Sequence, residues 1–507
     1  MTDRAAAGSE PATFYRARRL FVGGVAFVFA LAFGELFVQL PGLFGARGIA
    51  PLAPALDRLA GYYRGWSRLQ LPTLLWFGAS DVVMQVLAGV GLGSAVAAVF
   101  GVLPRWLLLL SWLLYLSFVC VGEPFLSFQW DALLLEAGLL AVLWAPGGLV
   151  PFRGSEAEPS RVGRWLVHWL LFRLLLLSGL LKLASGDVSW RDGTALDFHF
   201  WTQPLPNRLS HWAHWLPPWC HALAVWTMFA IELGVPLLLL VPRVHRRCRQ
   251  VAAAATVLLM AGIFATGNYG FFNLLTAVLC VPLLDDRAFA ALLRRPPRER
   301  EPRAAPRWHR VPLAVFAAIV LAATTHRALQ SFRALPASLA MLAAVLAPAA
   351  DLTSPFQCCN GYGLFRVMTR ERPELLLEGS DDGEHWRSYG FRYKPLELDR
   401  APVFAGLYMP RLDWQLWFAA LGGRLDRYSA WTLGLLRGVL EGSPDVLGLL
   451  GHDPFAGRPP ALVRLRVAQY RFSTTAQRAA GIWWQRDEPE PYSGVWKLEH
   501  GELVRAR

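Results

Sequence analysis

The chain has 507 residues, 54% of them hydrophobic, and a formal net charge of +13; its mean hydropathy is +0.34. Soluble domains sit nearer about 45–50% apolar, and the excess here lies in runs that approach the roughly 20 residues a membrane-spanning helix needs. Such a charge in a soluble protein points to nucleic acid, but these basic residues fall in short loops between apolar runs, as the positive-inside rule demands, so nucleic-acid binding is set aside.

Residues 1–19 form a polar tail ending in Arg16, Arg18 and Arg19. The apolar run that follows is too long for a cleavable signal core and has no small-residue cleavage site, so it reads as an anchor with a cytoplasmic N-terminus. Apolar runs then predict spans at about 20–40, 74–100, 105–121, 129–149, 164–184, 219–241, 250–266, 270–284 and 311–329. Three connections are strongly basic: Arg153/Arg161/Arg164, Arg243/Arg246/Arg247/Arg249 and Arg294/Arg295/Arg298/Arg300. Alternation from a cytoplasmic start puts all three inside. It puts 41–72, the tryptophan-rich loop 185–218 and everything after about 330 outside.

Segment 337–350 is apolar but about 14 residues long, short for a crossing, and reads as an interfacial or domain-packing helix. From 351 the character changes. LFRVMT, ELLLEG and HWRSYGFRYK are β-type runs, and Asp382-Gly383 predicts a hairpin turning at 381–383. Trp386 and Phe391 are expected in its core. Helices are expected near 413–421 and 429–441, and a further strand at 462–472. The fold class is therefore a polytopic all-α membrane bundle of about nine spans plus a soluble C-terminal α+β domain with β-hairpins. The divisions are 1–19 tail, 20–330 transmembrane domain, 331–350 linker helix and 351–507 extracytoplasmic domain.

Ionisable residues inside spans are costly and mark function by default. This chain places Glu35, Asp81, Asp131, Glu136, Arg173, Lys182 and Glu232 there. Arg173 is expected to pair with Asp131 or Glu136 on the fourth span. Those two acids are five positions apart, about 140° around a helix, and do not form one paired site. Lys182, near an outer helix end, reads either as a headgroup anchor or as the base of a cavity roofed by 187–215. That loop concentrates Asp192, Asp197, His199 and Gln203 among tryptophans, and the run TGNYGFFNLL (266–275), with Gly267, Asn268 and Gly270, interrupts an otherwise continuous apolar stretch. An aromatic belt and a tight outer turn are the bland alternatives. His211 and His214 have i,i+3 spacing without a third ligand. The six cysteines include no CxxC pair, so no metal site is expected. No GxxxxGK[ST] loop is present, which disfavours an ATP-driven pump or chaperone.

The runs SFQWDALLLEAG (127–138), LLLLSGLLKLASGDVSWRDGTALDFHFWTQPLPN (174–207), TGNYGFFNLLT (266–276), NGYGLF (360–365), LEGSDDGEHWRSYGFRYKP (377–395) and PRLDWQLWFAAL (410–421) resemble the lipase maturation factor family. EGSPDVLGLL (441–450) and the YRF of 470–472 fit as well. The resemblance implies a membrane factor assisting maturation or folding of secreted proteins such as lipases, here in a bacterial inner membrane, with membrane lipids and secreted clients as partners. It names no cofactor. A fainter pattern, GLLKL…W..G from Gly179 to Gly193, is similar to vitamin K-dependent gamma-carboxylase relatives, where a matching lysine is the active-site base. That likeness implies the alternative of a membrane enzyme using Lys182 on a lipid-soluble or secreted substrate. A transporter or lipid-handling protein is the third reading.

Overall fold

A computed structural model describes residues 12–153, 157–240, 246–294, 310–423 and 428–506. The tail up to residue 11, Arg243 and most of the basic run 294–300 lie outside the described residues.

The N-terminal region is helical. Its elements are α1 (Tyr15–Phe44), α2 (Leu52–Ala60), α3 (Asp81–Val99), α4 (Pro104–Val119), α5 (Gln129–Trp144) and α6 (Arg161–Ala184). Three short helices follow, α7 (Val188–Arg191), α8 (Ala195–Thr202) and α9 (Arg208–His214). Then come α10 (Pro218–Leu240), α11 (Arg246–Thr266), α12 (Phe272–Cys280), α13 (Asp286–Leu293), α14 (Arg310–Gln330) and α15 (Ala337–Thr353). Start signals are local: Ser80 and Ser160 accept the backbone N–H of Val83 and Gly163, as helix N-caps do.

α1 is the centre of the bundle. Its Phe21, Val25, Phe29, Phe33 and Leu36 are fully buried, and it packs on α3, α5 and α12. Glycines admit this closeness: a Cβ at Gly91 would strike the Phe33 ring, and one at Gly138 the Phe29 ring. Small residues at such interfaces are how membrane helices approach.

Among the described residues, seven helices are long and apolar enough to cross a membrane: Tyr15–Phe44, Asp81–Val99, Arg161–Ala184, Pro218–Leu239, Arg246–Thr266, Val311–Gln330 and Ala337–Phe356. Three expected spans are shorter. α4 and α5 have 16 residues each, and α12 has nine, extended by a 3-10 turn at Val281–Leu283. Protein groups reach carbonyls at their ends: Thr73 Oγ1 donates to Ser117 O, Arg105 to Ala145 O, and His168 Nε2 lies 3.1 Å from Pro282 O, satisfying backbone groups where lipid could not. The second expected span also starts later, because Gly78 (φ 156°) separates a 3-10 turn at Leu74–Phe77 from α3. Conversely, α15 runs 17 residues, past the Asp351 that closed the apolar run in the sequence.

The C-terminal region carries an antiparallel sheet of β1 (Pro373–Ser380), β2 (Trp386–Ser388), β3 (Leu462–Phe472), β4 (Trp484–Arg486), β5 (Glu490–Pro491), β6 (Trp496–Glu499) and β7 (Glu502–Arg505). The order is β2-β1-β3-β6-β7, with β4 and β5 also pairing β3. β1 and β2 form the expected hairpin, with Ser380 opposite Trp386. The Asp382 carboxylate ties its turn by accepting from Glu384 and His385 N–H at 2.9 and 2.8 Å. Helices α16 (Arg411–Gly422) and α17 (Ala430–Leu440) complete the layer.

Two local expectations are corrected. Residues 364–369 form no strand, because their backbone bonds elsewhere: Phe365 O accepts Trp190 Nε1, and Met368 N donates to Asp187 Oδ2. Trp386 is not core. It is half-buried under the Arg464 guanidinium, 3.8 Å from its ring centre, while Tyr389 and Phe391 fill the interior.

Candidate functional site

Several buried polar residues of the helix bundle, Gln39, Asp131, Glu136 and Arg173, bond to the C-terminal region where it docks. Asp131 opens α5 and is fully buried. Its carboxylate takes both arms of Arg411, at 2.9 and 3.0 Å, and the hydroxyl of Tyr115 at 2.5 Å. The Arg411 Nη1 also reaches Phe125 O at 2.7 Å. Gln39 near the end of α1 completes the joint, donating to Met409 O and accepting from Arg411 N. A planar guanidinium suits this two-armed geometry, which lysine cannot reproduce. Nearby Glu35 is 5% exposed, and neither carboxyl oxygen has a hydrogen-bond partner.

Five residues further along α5, Glu136 pairs with Arg173 of α6. The segment after α15 caps this pair. Tyr362 Oη donates to Glu136 at 2.7 Å, Asn360 N does so at 3.2 Å, and Arg173 reaches Asn360 O at 2.9 Å. The acid partner of Arg173 is therefore Glu136; Asp131 is taken by Arg411.

Lys182 points inward from α6. Its ammonium sits 2.8 and 2.9 Å from the two oxygens of Glu232 on α10, and 5.3 Å from the centre of the Trp190 ring. At 5% exposure it does not reach a headgroup layer. The remaining sequence candidates spread over several small sites. Asp192 is exposed and bonds Thr194 at 2.6 Å. Asp197 meets His221 at 2.6 Å. His199 and Gln203 converge on the Tyr269 hydroxyl, at 3.1 and 2.7 Å. Burial and the nearby Lys182 push His199 down to about 4, so it is neutral at physiological pH. Asn268 donates to Leu205 O and Val403 O and accepts from Ala405 N. It stitches the turn 267–271 to the outer loop and the C-terminal region.

Sequence reasoning missed the anchors supplied by the C-terminal region. Arg372 is fully buried; it donates to Trp201 O at 2.9 Å, to Gln203 O and to Pro204 O at 2.8 Å, and pairs with Glu374 at 2.6 Å. Lys394 holds the other Glu374 oxygen at 2.8 Å. Trp417 Nε1 donates to Thr202 O. The only trace in the sequence was the density of charge in RERPE, which reads equally as solvated surface. Among the described residues, no group of three His, Cys, Asp or Glu is placed to hold a metal.

Lys182 is held in a buried ion pair with Glu232, whereas a general base needs a free lone pair within reach of a substrate proton. Fold and site thus define an integral membrane protein whose sheet domain is clamped to one end of its helix bundle. The transmembrane-domain model of the lipase maturation factors matches residues 16–291, and the C-terminal-domain model matches 358–494. Lipase maturation factor 2 of Gallus gallus is 34% identical over 94% of this chain and 81% of its own length. The human factor 2 is 34% identical over 94% and 82%, and human factor 1 is 32% identical over 96% and 89%. No solved structure matches. The chain belongs to the lipase maturation factor family. These comparisons favour the maturation-factor reading over the carboxylase-like enzyme.

Proposed function

We propose that this protein assists secreted lipases to reach their active form from the non-cytoplasmic face of a bacterial inner membrane, with the N-terminus inside and the C-terminal domain in the periplasm. The observation that carries the reading is the clamp. Arg411–Asp131, Glu136–Tyr362 and Arg372 with the 201–204 backbone hold the sheet domain and outer loop as one surface. A client emerging from the membrane would meet that surface ready-made, and a preorganised surface binds with less ordering cost. The opposite end supports the orientation, since Arg18 bonds Ala157 O, Arg19 lies over Phe152, and Arg164 and Arg249 lie over Phe14. Membrane lipids and secreted lipases are the partners this reading requires.

The test is the specific activity of a secreted lipase made in cells with and without the protein. Secreted lipase of low activity per molecule in the deletion, restored by the wild-type gene, is expected. Equal specific activity in both strains overturns the lipase client.

A further inference from the structure

An open cavity lies beside the Glu136–Tyr362 part of the clamp. It has a volume of about 350 Å³ and lies between the start of α5, the end of α14 and the segment following α15. Phe128, Gln129, Arg327, Ser354, Gln357 and Asn360 contribute to its wall, and no Asp or Glu does. Arg327 is half-buried. Unlike Arg173, Arg372 and Arg411, it makes no ion pair among the described residues. Gln129 uses its Oε1 on Gly363 N, which leaves its amide group to donate. Gln357 has no side-chain bond among the described residues, and its backbone is held at φ 46°, a conformation unfavourable for a side chain-bearing residue. The wall therefore offers donors from a guanidinium, two amides and a hydroxyl, with no carboxylate among its lining residues. That set fits a phosphate-type anion, which a guanidinium grips with parallel hydrogen bonds.

The surroundings say how the anion arrives. α15 exposes Met341, Leu342, Val345 and Leu352. Leu352 stands two residues before Ser354 in the cavity wall. An apolar strip thus runs up to the polar pocket, as acyl chains and a headgroup would require. Basic pockets between membrane helices take lipid headgroups in this way.

We propose that this cavity binds the phosphodiester headgroup of an anionic membrane phospholipid, with Arg327 as the charge partner and the acyl chains packed against the exposed apolar side chains of α15. Free phosphate shares the headgroup chemistry but makes no use of α15.

The experiment uses the full-length protein purified in mild detergent and incubated with phosphatidylglycerol or phosphatidylcholine, and bound lipid is counted by native mass spectrometry. Phosphatidylglycerol should be retained in preference to phosphatidylcholine. Arg327→Gln should lower its retention about fivefold or more, the loss expected for one basic partner. Gln357→Gly keeps the left-handed backbone and should lower it less. Arg333→Gln, on the exposed loop outside the wall, should change nothing. Equal retention by wild type and Arg327→Gln in monodisperse protein overturns the proposal. So does an equal loss with Arg333→Gln, which would mean diffuse surface charge. Inorganic phosphate that raises thermal stability through Arg327 while phosphatidylglycerol is not retained would assign the cavity to a soluble anion and overturn the lipid.

Discussion

Arg411 and Asp131 are 280 positions apart in the chain, yet their side chains share two hydrogen bonds, at 2.9 and 3.0 Å, with both residues fully buried. One belongs to the sheet domain and the other to the helix bundle, so this pair is the hinge pin of the assembly. Removing one partner strands the other charge in the interior, at a cost of about 3–5 kcal/mol, whereas replacing both by apolar groups costs far less. Asp131→Leu and Arg411→Met should each lower the thermal unfolding temperature sharply, and the double variant should recover most of the loss. If the single variants unfold at the wild-type temperature, the clamp is held by other contacts.

Lys182 and Glu232 allow the same logic to separate pairing from catalysis. Lys182→Met leaves Glu232 buried without its ion, which should cost about 3–5 kcal/mol. Adding Glu232→Gln should restore stability and lipase maturation together. Lys182→Arg keeps the charge and should lose little of either. A stable Lys182→Arg protein with no maturation activity would contradict a role limited to pairing.

The helices were legible in the sequence because apolar runs report on lipid and packing directly. The clamp was not. Asp131 and Arg173 stood out as charges inside apolar runs, so a partner was expected for each, but periodicity is local and cannot point from Asp131 to Arg411. Arg372 and Glu374 lay within a charged run that looks like surface. Phe365 follows the same rule in reverse. Its run looks like a strand, but its ring packs between His199 and Tyr269, 5.1 and 5.7 Å from their centres, so tertiary packing takes the segment out of the sheet.

Stability should depend on pH through the outer-loop histidines. Burial, with Lys182 acting on His199, Arg478 on His211 and His221 on His214, pushes each imidazole down to about 4. In the unfolded chain they titrate near 6.5. Between those values the unfolded state binds more protons, so stability falls as pH drops. Thermal unfolding in detergent should be flat above about pH 7 and should decline from about 6.5 towards 4. Replacing His199 by Gln should flatten part of that slope. A slope unaltered by His199→Gln would remove this histidine from the account.

Phe391 and Trp386 should respond differently to truncation. Phe391 is fully buried, and Phe391→Ala should cost about 3–5 kcal/mol. Trp386 is half-buried at the sheet edge beneath Arg464, so Trp386→Ala should cost less, about 1 kcal/mol, in the range of a surface cation–π contact. Equal losses would mean that Trp386 is buried in solution.

The topology turns on α15. A tenth crossing would deliver residue 354 to the end of the bundle opposite the loop 331–336. Pro355 O instead lies 3.7 Å from Cys120 Sγ, just past the end of α4 that carries Tyr115, the partner of Asp131 and Arg411. Arg327, near the end of α14, shares a cavity wall with Ser354. Both flanks of α15 therefore belong to the end where the sheet domain docks, although its length would permit a crossing. The proposed topology, nine crossings from a cytoplasmic start, would then put the domain outside. Ser380 is buried and useless as a reporter, but Glu384 in the hairpin turn is exposed. In a protein stripped of its own cysteines, Glu384→Cys should react with a membrane-impermeant maleimide in intact spheroplasts. Reaction only after lysis would put the domain in the cytoplasm and would require α15 to cross.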